Sequence, residues 1–449
     1  MIDLKKRLSE LLTKHRVPGA AVGVLQNGEI TEAAAGVINL NTGVEATTDT
    51  LFQIGSITKV WTTTMIMQLV DEGKIELDAP VRTYLPSFQV ADEDVAAKVT
   101  LRHLLTHTSG IDGDHFPDHG RGDDCIERYV DACASLEQTH ALGATMSYCN
   151  TGFTIAGRII EVLDEKGWDQ ALRDRIITPL GLTHTNTLPE EALLFRAAVG
   201  HIAPAPGDDP QRAPAWVLPR VAGPMGLINS TVRDTLTFAK AHMDDGAPLL
   251  SERSAKAMQE PQVEVPNRHT LGSHWGLGWI LFDWDGHRVY GHDGGTLGQA
   301  AFLRIAPDAG VAVALFTNGG DAGEVYRALY NEILGDLAGI TMPALPELPS
   351  TPPDVDLSAY AGTYQRLGVT IELNVEGDKL VGSSTLSGPL AEMLPNPTTK
   401  IEAAPVDAET FLVATVGAKV PPVPGTFYNF EDGAPGYLHY GGRTHPRVR

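Results

Sequence analysis

The chain has 449 residues, of which 43% are hydrophobic and 20% are charged, so it is long enough for one large globular domain and a smaller one. Its 56 acidic and 34 basic side chains give a formal net charge of -22, which repels nucleic-acid backbones and anionic membrane surfaces. The composition therefore argues against nucleic-acid binding and against membrane binding.

The N-terminal region shows no export signal. Residues 1–17 are predicted to form an amphipathic helix with leucines on one side, and no charged segment followed by an apolar core is present. No apolar stretch approaches the roughly 18 uncharged residues that a membrane span needs. The three cysteines make no convincing disulfide framework. We therefore expect a cytoplasmic protein, unless a leader has been trimmed.

The first part of the chain alternates strand and helix patterns. An Asn27-Gly28 turn joins two β-prone arms, residues 20–25 and 30–37, which predicts a hairpin that opens an antiparallel sheet. A helical pattern follows from Ser56 to about Val70 and ends before Gly73, a residue suited to a left-handed C-cap. Further helices are predicted over 101–106, 125–134 and 153–165.

Strand patterns return in the second part of the chain. They predict strands over 276–282, 288–291, 300–305 and 311–316, followed by a helix over 323–337. Five prolines between Pro343 and Pro353 then indicate an extended linker. Short alternating segments beyond it, at 370–375, 380–384, 411–416 and 436–440, predict a small all-β, lipocalin-like barrel or sandwich. We predict three parts: a domain over 1–342, a linker over 343–355 and a domain over 356–449.

The tetrapeptide Ser56-Ile57-Thr58-Lys59 places a hydroxyl and an amine one helical turn apart. Residues three apart share a helix face, so the Lys59 amine can take the Ser56 proton during attack on a carbonyl carbon. This is what covalent acyl transfer needs. So short a pattern also arises by chance, and the alternative interpretation is an N-cap serine beside a solvated lysine.

Two later segments supply candidate partners. The sequence MSYCNTG at 146–152 contains Tyr148-x-Asn150, and YGHDGGT at 290–296 contains His292-Asp293-Gly294. Taken alone, Tyr148 is interpreted as a loop tyrosine ahead of a capped helix. For His292 two interpretations stay open: a structural strand histidine, and a gate or substrate-orienting residue. The order of the two segments relative to the Ser56 motif favours a shared active site.

The order and spacing of the three motifs resemble the serine β-lactamase and penicillin-binding-protein superfamily. Because the second motif is Tyr-x-Asn, the resemblance is closest to class C β-lactamases and family VIII carboxylesterases. It covers about residues 10–340, and the phrases LLTHTSG at 104–110 and GPMGL at 223–227 are similar too. The resemblance implies an α+β fold, in which a helical domain packs on an antiparallel sheet flanked by helices and the active site lies between them.

The resemblance also implies a role for each motif residue. Three side chains carry the chemistry: the nucleophile Ser56, the proton acceptor Lys59 and the second acid/base Tyr148. Four residues bind substrate: Asn150, His292, Asp293 and Gly294. The backbone N–H groups of Ser56 and Gly295 form the oxyanion hole. Since isolated Tyr and Lys have pKa values near 10, burial and proximity must lower one of them. No cofactor and no metal are implied.

The third motif departs from the Lys-Thr-Gly of members that recognise β-lactams. A cation and a hydroxyl that engage the ligand carboxylate are missing, and Asp293 is expected to place a negative charge beside the cleft. We therefore expect an ester or amide substrate instead of a β-lactam. Histidine at this position resembles esterases, D-amino-acid amidases and biosynthetic acyltransferases, including a transacylase of capuramycin-type nucleoside antibiotics and thioesterase-like peptide cyclases.

Three functional hypotheses follow. The favoured one is an esterase/amidase-type serine hydrolase acting on a small-molecule ester or amide. The second is a transacylase that passes the acyl group to an amine or alcohol, as in nucleoside antibiotic or peptide-cyclisation pathways; hydrolysis and transfer share one acyl-enzyme. The third is a non-catalytic ligand-binding protein of the same fold. The sequence leaves open the oligomeric state and whether the C-terminal domain reaches the cleft.

Other conspicuous residues are interpreted as structural. Cys149 is expected to be a small buried hydrophobe. His115 and His119 lie in a loop over 112–124 whose glycines and proline prevent a helical metal site, so a polar cleft-rim loop is predicted. A second rim loop over 203–224 is the place to look for acceptor specificity. Trp275 is expected in the core or the cleft wall.

Overall fold

The computed structural model describes residues 3–204, 208–216, 218–388, 391, 396–418 and 420–448. A large domain with helices on both faces of an antiparallel sheet is followed by an all-β domain, so the predicted α+β fold is confirmed. The first two residues of the predicted N-terminal helix and parts of the 203–224 loop lie outside the described residues. No helix among the described residues is both long and apolar enough to cross a membrane.

The α-helices begin and end close to where hydrophobic periodicity and capping residues predict. In chain order the described helices are α1 (Leu4–Lys14), α2 (Thr58–Asp71), α3 (Glu93–Lys98), α4 (Leu101–Leu105), α5 (Cys125–Ala132), α6 (Asn150–Asp164), α7 (Trp168–Leu172), α8 (Thr178–Leu180), α9 (Pro189–Ala192), α10 (Gly223–Gly226), α11 (Val232–Met243), α12 (Glu252–Met258), α13 (Arg268–Leu271) and α14 (Ala322–Ala338).

The β-strands fall into two groups, one on each side of the linker. The strands before it are β1 (Gly19–Gln26), β2 (Glu29–Asn39), β3 (Val44–Glu45), β4 (Phe52–Gln53), β5 (His201–Ile202), β6 (Gln211–Arg212), β7 (Asn229–Ser230), β8 (Val263–Glu264), β9 (His274–Trp275), β10 (Ile280–Trp284), β11 (His287–Thr296), β12 (Gln299–Ala306) and β13 (Val311–Thr317). The strands after it are β14 (Gly362–Arg366), β15 (Val369–Glu376), β16 (Lys379–Leu386), β17 (Thr398–Pro405), β18 (Thr410–Thr415), β19 (Val423–Glu431), β20 (Ala434–Tyr440) and β21 (Arg443–Pro446).

The main sheet has the strand order β3-β2-β1-β13-β12-β11-β10-β9-β8, so the N-terminal hairpin pairs with the last strand of the domain. One face is covered by α1 and α14, and Leu8 and Ile333 belong to that core. The other face packs against α2, α11 and the remaining helices, and Ile57 and Phe238 belong to that core. The three sequence motifs meet on this second, helical face.

Two strand predictions need correction. Of the predicted strand over 276–282 only residues 280–282 are strand, as the start of β10; the segment before them is irregular, with Gly278 at φ +75° and its backbone too close to Thr63 for a side chain. The predicted strand over 288–291 continues to Thr296 as β11. The third motif therefore lies on a strand, where consecutive side chains point to opposite faces.

The C-terminal domain is a nearly closed barrel of antiparallel strands in the order β14 to β21. A bridge between Tyr364 and Arg447 joins the first strand to the end of the last one. Its own core includes Leu380, Phe411 and Phe427. Closure pairs the edge strands with each other, which accounts for a barrel in place of a sandwich.

The barrel packs directly against the second motif. The Tyr148 N–H donates to Gly442 O at 3.0 Å, and the Thr444 N–H donates to Ser147 Oγ at 3.1 Å. Gly442 has φ +78° and a Cβ there would lie 2.7 Å from Leu271, so this close approach requires glycine. The C-terminal domain thus reaches the cleft.

Candidate active site

Ser56 lies on the turn that connects β4 to α2. The chain leaves β4 at Gln53 and enters the 3₁₀ turn Gly55–Ile57 immediately before the first residue of α2. Gly55 has φ +52°, and a Cβ there would lie 2.6 Å from the Gly295 nitrogen. Glycine therefore allows the turn to bend and lets β11 come within backbone contact of Ser56.

The Lys59 amine lies beside the Ser56 hydroxyl. Its Nζ is 3.0 Å from Ser56 Oγ and donates to Met225 O at 2.8 Å. Lys59 has no exposed surface. Burial lowers the pKa of the Lys59 amine well below its usual value, and the positive charge of Arg443 acts in the same direction. A neutral amine has a lone pair with which it can accept the Ser56 proton.

Tyr148 completes a three-residue cluster with this pair. Its hydroxyl hydrogen-bonds the Ser56 side chain, and Lys59 Nζ lies 4.8 Å from the ring centroid. Burial raises the pKa of the Tyr148 phenol above its usual value, while the hydrogen bond to Ser56 opposes that shift. Since the pKa of Lys59 falls and that of Tyr148 rises, burial favours the neutral form of both side chains. Lysine then suits the role of base, and tyrosine that of proton donor.

Asn150 is the first residue of α6, and its side-chain amide is fixed by a buried carboxylate. Asn150 Nδ2 donates to Asp114 Oδ1 at 2.9 Å. Asp114 also accepts two hydrogen bonds from Arg443, each 3.1 Å long, and pairs with Arg366 at 2.9 Å. Burial alone raises the pKa of Asp114, but the charges of Arg443 and Arg366 outweigh it and lower the pKa to about 2. Asp114 is therefore an anion that links the second motif to the barrel.

His292 faces the cluster from β11. Its ring centroid lies 6.3 Å from that of Tyr148 and 5.4 Å from that of Trp275. Burial, together with the charge of Lys59, lowers the pKa of His292 to about 3, so the ring is neutral. His292 Nδ1 is 2.6 Å from the Asp293 carbonyl and must donate to it, because a carbonyl only accepts. Nε2 is then an acceptor, and it has no partner among the described residues.

The structure does not bring the Asp293 side chain to the cleft. Asp293 is paired in register with Phe302, whose ring stacks on Tyr326 of α14, so both side chains lie on the opposite face of the sheet. Its carboxylate forms two hydrogen bonds, 2.6 and 3.0 Å long, with the buried Arg304. The expectation of an uncompensated negative charge beside the cleft is therefore wrong. The alternation of side chains along β11 separates Asp293 from His292.

The remaining glycines of the third motif bring two backbone N–H groups together. A Cβ at Gly294 would lie 1.8 Å from Ile54 O and 3.1 Å from the Ser56 nitrogen, so only glycine fits there. Gly294 thus allows the contact between β11 and the nucleophile turn, while Gly295 remains exposed. This places the N–H groups of Ser56 and Gly295 on neighbouring segments, the arrangement that an oxyanion hole requires.

Cys149 and Trp275 surround the cluster without joining its chemistry. Cys149 is buried, its sulfur accepts from the Gly152 N–H at the start of α6, and burial raises the pKa of the thiol to about 11. Its thiol therefore stays protonated and uncharged. Trp275 packs edge-on against the rings of His107, Tyr148 and His292, which makes it a wall of the cleft.

Three residues near the cluster were not singled out in the sequence: His107, Asp114 and Arg443. His107 lies within the phrase at 104–110, which pointed to its segment but gave no role to its side chain. Asp114 belongs to the loop predicted as a polar rim, yet its side chain is only 14% exposed. The Arg443 guanidinium lies 4.7 Å from the Tyr148 ring centroid. Its contribution depends on how two domains dock, which no local pattern encodes.

A helical layer on an antiparallel sheet, with a Ser-x-x-Lys pair and a tyrosine at their interface, is typical of the serine β-lactamase and penicillin-binding-protein superfamily. The comparison with protein families agrees: the model described as beta-lactamase matches residues 4–336. The chain belongs to the beta-lactamase family, whose members are typically serine hydrolases. The resemblance found in the sequence is confirmed.

Individual relatives extend this similarity. The chain is 48% identical over 371 residues to penicillin-binding protein 4 of Amycolatopsis lactamdurans, covering 81% of this chain and 97% of that protein. The crystal structure of SurE has a TM-score of 0.79 and 27% identity and covers 99% of this chain and 98% of SurE; SurE with D-Leu gives 0.76 and 25% over the same shares. A D-stereospecific amidohydrolase from Streptomyces sp. has a TM-score of 0.59 and 26% identity over 74% of this chain and 98% of its own.

Proposed function

We propose that this chain is a serine acyl-transfer enzyme that hydrolyses an ester or amide through an acyl-enzyme on Ser56. The observation that carries the proposal is the 3.0 Å contact between Ser56 Oγ and the fully buried Lys59 amine, whose pKa burial lowers well below its usual value. A solvated lysine beside an N-cap serine would be protonated and could not act as a base. Burial of the amine therefore argues against that alternative and against a silent binding protein.

In the proposed acylation step, Ser56 Oγ attacks the substrate carbonyl carbon while its proton passes to Lys59 Nζ. The carbonyl oxygen becomes an oxyanion and accepts hydrogen bonds from the N–H groups of Ser56 and Gly295, where one donor is typically worth about 2.7–4 kcal/mol of barrier. Tyr148, held at the Ser56 side chain with its proton in place, donates that proton to the departing alkoxide or amide nitrogen. Transfer of the Lys59 proton to Tyr148 then restores both residues.

In the proposed second step, water attacks the Ser56 ester and loses its proton to the Lys59 and Tyr148 pair. The C–O bond to Ser56 breaks, the serine regains a proton and an acid leaves. Asn150 and His292 bind the substrate beside the reacting bond. His292 Nε2 is an acceptor with no partner among the described residues, but the side chain is only 1% exposed, so a substrate N–H or O–H group reaches it only if binding opens the cluster. His292 is neutral and supplies no cation for a ligand carboxylate, and the Arg443 guanidinium beside Tyr148 is already paired with Asp114, which supports an ester or amide rather than a β-lactam.

The acyl group is proposed to carry a D-configured residue. Support comes from two neighbours above, SurE with bound D-Leu and the D-stereospecific amidohydrolase. The experiment is hydrolysis of paired D- and L-leucine p-nitroanilides and methyl esters by wild type and Ser56→Ala. We expect the wild type to release acid from the D compounds faster, and Ser56→Ala to release none above background. Equal rates for the D and L compounds would contradict the stereochemical part of the proposal. Equal rates for wild type and Ser56→Ala would contradict the proposal that the chain is a serine enzyme.

Transfer to an amine is the second candidate, and the barrel favours it. Gly442 and Arg443 wall the cleft beside Tyr148. SurE matches this chain along its whole length, whereas the amidohydrolase matches 74% of it. A wall that restricts water would lengthen the life of an acyl-enzyme and leave time for an amine or alcohol to attack it.

Product analysis with and without added D-amino acid amines separates hydrolysis from transfer. If only acid forms at every amine concentration, transfer fails and hydrolysis stands. Location in the cytoplasm and a place in antibiotic biosynthesis remain predictions.

A further inference from the structure

His107 contacts Tyr148 and its two chain neighbours, one contact to each residue. The Ser147 N–H donates to His107 O at 2.9 Å, and the Cys149 N–H donates to His107 Nδ1 at 2.9 Å. The His107 ring stacks on the Tyr148 ring with centroids 4.3 Å apart and an angle of 27° between planes. One residue therefore holds the backbone on both sides of Tyr148 and also supports the face of its ring.

The protonation state of His107 follows from these contacts. Nδ1 accepts a hydrogen bond from a backbone N–H, so the proton of the neutral ring is on Nε2. Nε2 has no hydrogen-bond partner among the described residues, so this nitrogen does not fix the ring. Burial, reinforced by the nearby Lys59 and then His292 and Arg443, holds the pKa of His107 well below its usual value. The ring stays neutral and keeps its Nδ1 acceptor over the working pH range.

The conformation of His107 is costly, which indicates that its surroundings enforce it. The residue follows the C-cap of α4 and has φ +58°, a left-handed conformation that non-glycine residues adopt uncommonly, with Asn, Asp and His the most frequent among them. Its ring has no exposed surface and is packed by Trp275 at 4.6 Å and Phe153 at 5.2 Å. Such strain persists only where neighbouring contacts outweigh it. Because the ring is fully enclosed, His107 acts through Tyr148 and not on substrate.

We propose that His107 is a positioning residue for Tyr148: its carbonyl and Nδ1 fix the peptide on each side of the tyrosine, and its ring fixes the plane of the phenol. This inference rests on the proposed function, in which Tyr148 delivers a proton to the leaving group. A general acid contributes about 10²–10⁴-fold to a rate, and a misplacement of about 1 Å can cost about 10²-fold.

Two substitutions separate the contacts. His107→Phe keeps a ring against Tyr148 but removes the acceptor for the Cys149 N–H. His107→Asn keeps a carbonyl acceptor and tolerates positive φ, but removes the ring. The experiment measures kcat and KM for leucine methyl ester, whose alkoxide leaving group needs a proton, in each variant, in Tyr148→Phe and in the double variants, with thermal unfolding for each. The matched control is His140→Asn, which removes another buried neutral histidine whose Nδ1 bonds to Ala141 O.

We expect His107→Phe to lower kcat about 10²-fold with KM nearly unchanged, and to have little further effect when Tyr148 is already Phe. His107→Asn should lose less, and His140→Asn should lower thermal stability with kcat preserved. The proposal is overturned if both His107 variants keep the wild-type kcat, or if the loss is as large in the Tyr148→Phe background. Should His107→Phe fail to fold, the same cycle with His107→Asn decides. Failure of the proposed function looks different, since wild type itself would then not turn over.

Discussion

The guanidinium carbon of Arg443, at the start of a barrel strand, lies 4.7 Å from the ring centroid of Tyr148 in the beta-lactamase-like domain. The same arginine bonds Asp114, which in turn holds the Asn150 amide. The barrel therefore adds a positive charge beside the second motif and holds the Asp114 carboxylate in place. It also places a cation where it can influence the protonation of Lys59.

Arg443→Gln should shift the acid limb of the pH–rate profile to higher pH. The positive charge of Arg443 lowers the pKa of Lys59, so its removal raises that pKa, although burial keeps it below that of a free lysine. Only neutral Lys59 accepts the Ser56 proton, so a higher pKa means that activity appears at higher pH. The measurement is kcat/KM for an ester as a function of pH. A limb that stays in place or moves to lower pH would contradict the assignment of Lys59 as the base.

Arg366→Gln provides the matched control for that shift. Arg366 also pairs with Asp114, at 2.9 Å, but it is not among the groups whose charge shifts Lys59. We expect both variants to lose stability and only Arg443→Gln to move the acid limb. Equal shifts in the two variants would indicate that Asp114, and not Arg443, tunes the lysine.

Asp114→Ala should weaken docking of the barrel and lower activity at the same time. It leaves Arg366 and Arg443 without their shared carboxylate, and removal of one partner from a buried ion pair typically costs about 3–5 kcal/mol. Asn150 also loses the acceptor that orients its amide. Urea unfolding and ester kinetics measure the two effects. A variant with unchanged stability would show that the barrel docks independently of this carboxylate.

Low pH should weaken the ion pairs that Asp114 forms with Arg443 and Arg366. The folded pKa of Asp114 is lowered from 3.8 to about 2, because Arg443 and Arg366 outweigh the effect of burial. A lowered folded pKa stabilises the protein above the unfolded pKa, and that contribution is lost as pH falls through about 2. The difference in unfolding free energy between wild type and Asp114→Asn should therefore narrow between pH 4 and pH 2. A difference independent of pH over this range would contradict an ionised Asp114.

Gly294→Ala should separate the third motif from the nucleophile turn. An added Cβ would lie 1.8 Å from Ile54 O, so the backbone must move and the Gly295 N–H moves with it. Loss of one oxyanion donor typically costs about 10²–10³-fold in kcat. Gly323→Ala, in α14, has open space for a methyl group and should leave kcat unchanged. Full activity in Gly294→Ala would exclude Gly295 as an oxyanion donor.

Asp293→Asn should cost stability but little activity. Its carboxylate pairs with the buried Arg304 on the sheet face away from Ser56, and an unpaired buried group typically costs about 1–3 kcal/mol. Thermal unfolding and kcat/KM for an ester test the two halves of this expectation. A large loss of activity at unchanged stability would contradict this expectation and support a substrate-binding role for Asp293.

Local features of this structure can be predicted from the sequence, whereas features that depend on long-range packing cannot. The Asn27-Gly28 hairpin and the position of Ser56 beside a helix start are local, and periodicity and turn residues predict them. The face of Asp293 is not local, because it depends on β11 extending through the motif in register with β12. No local sequence pattern predicts a role for Arg443, because its contacts with Asp114 and Tyr148 form only when the barrel packs against the first domain. Asp114 misled for the same reason: a charged loop residue is usually solvated, and here two arginines from another domain bury it.

Covalent labelling of Ser56 tests the central claim most directly. The measurement is the intact mass of wild type and Ser56→Ala after incubation with a fluorophosphonate, followed by peptide mapping. We expect one adduct on wild type, located on Ser56, and none on Ser56→Ala, because a neutral Lys59 at 3.0 Å makes this hydroxyl a nucleophile. The absence of an adduct on wild type, or the same adduct on Ser56→Ala, would contradict the account.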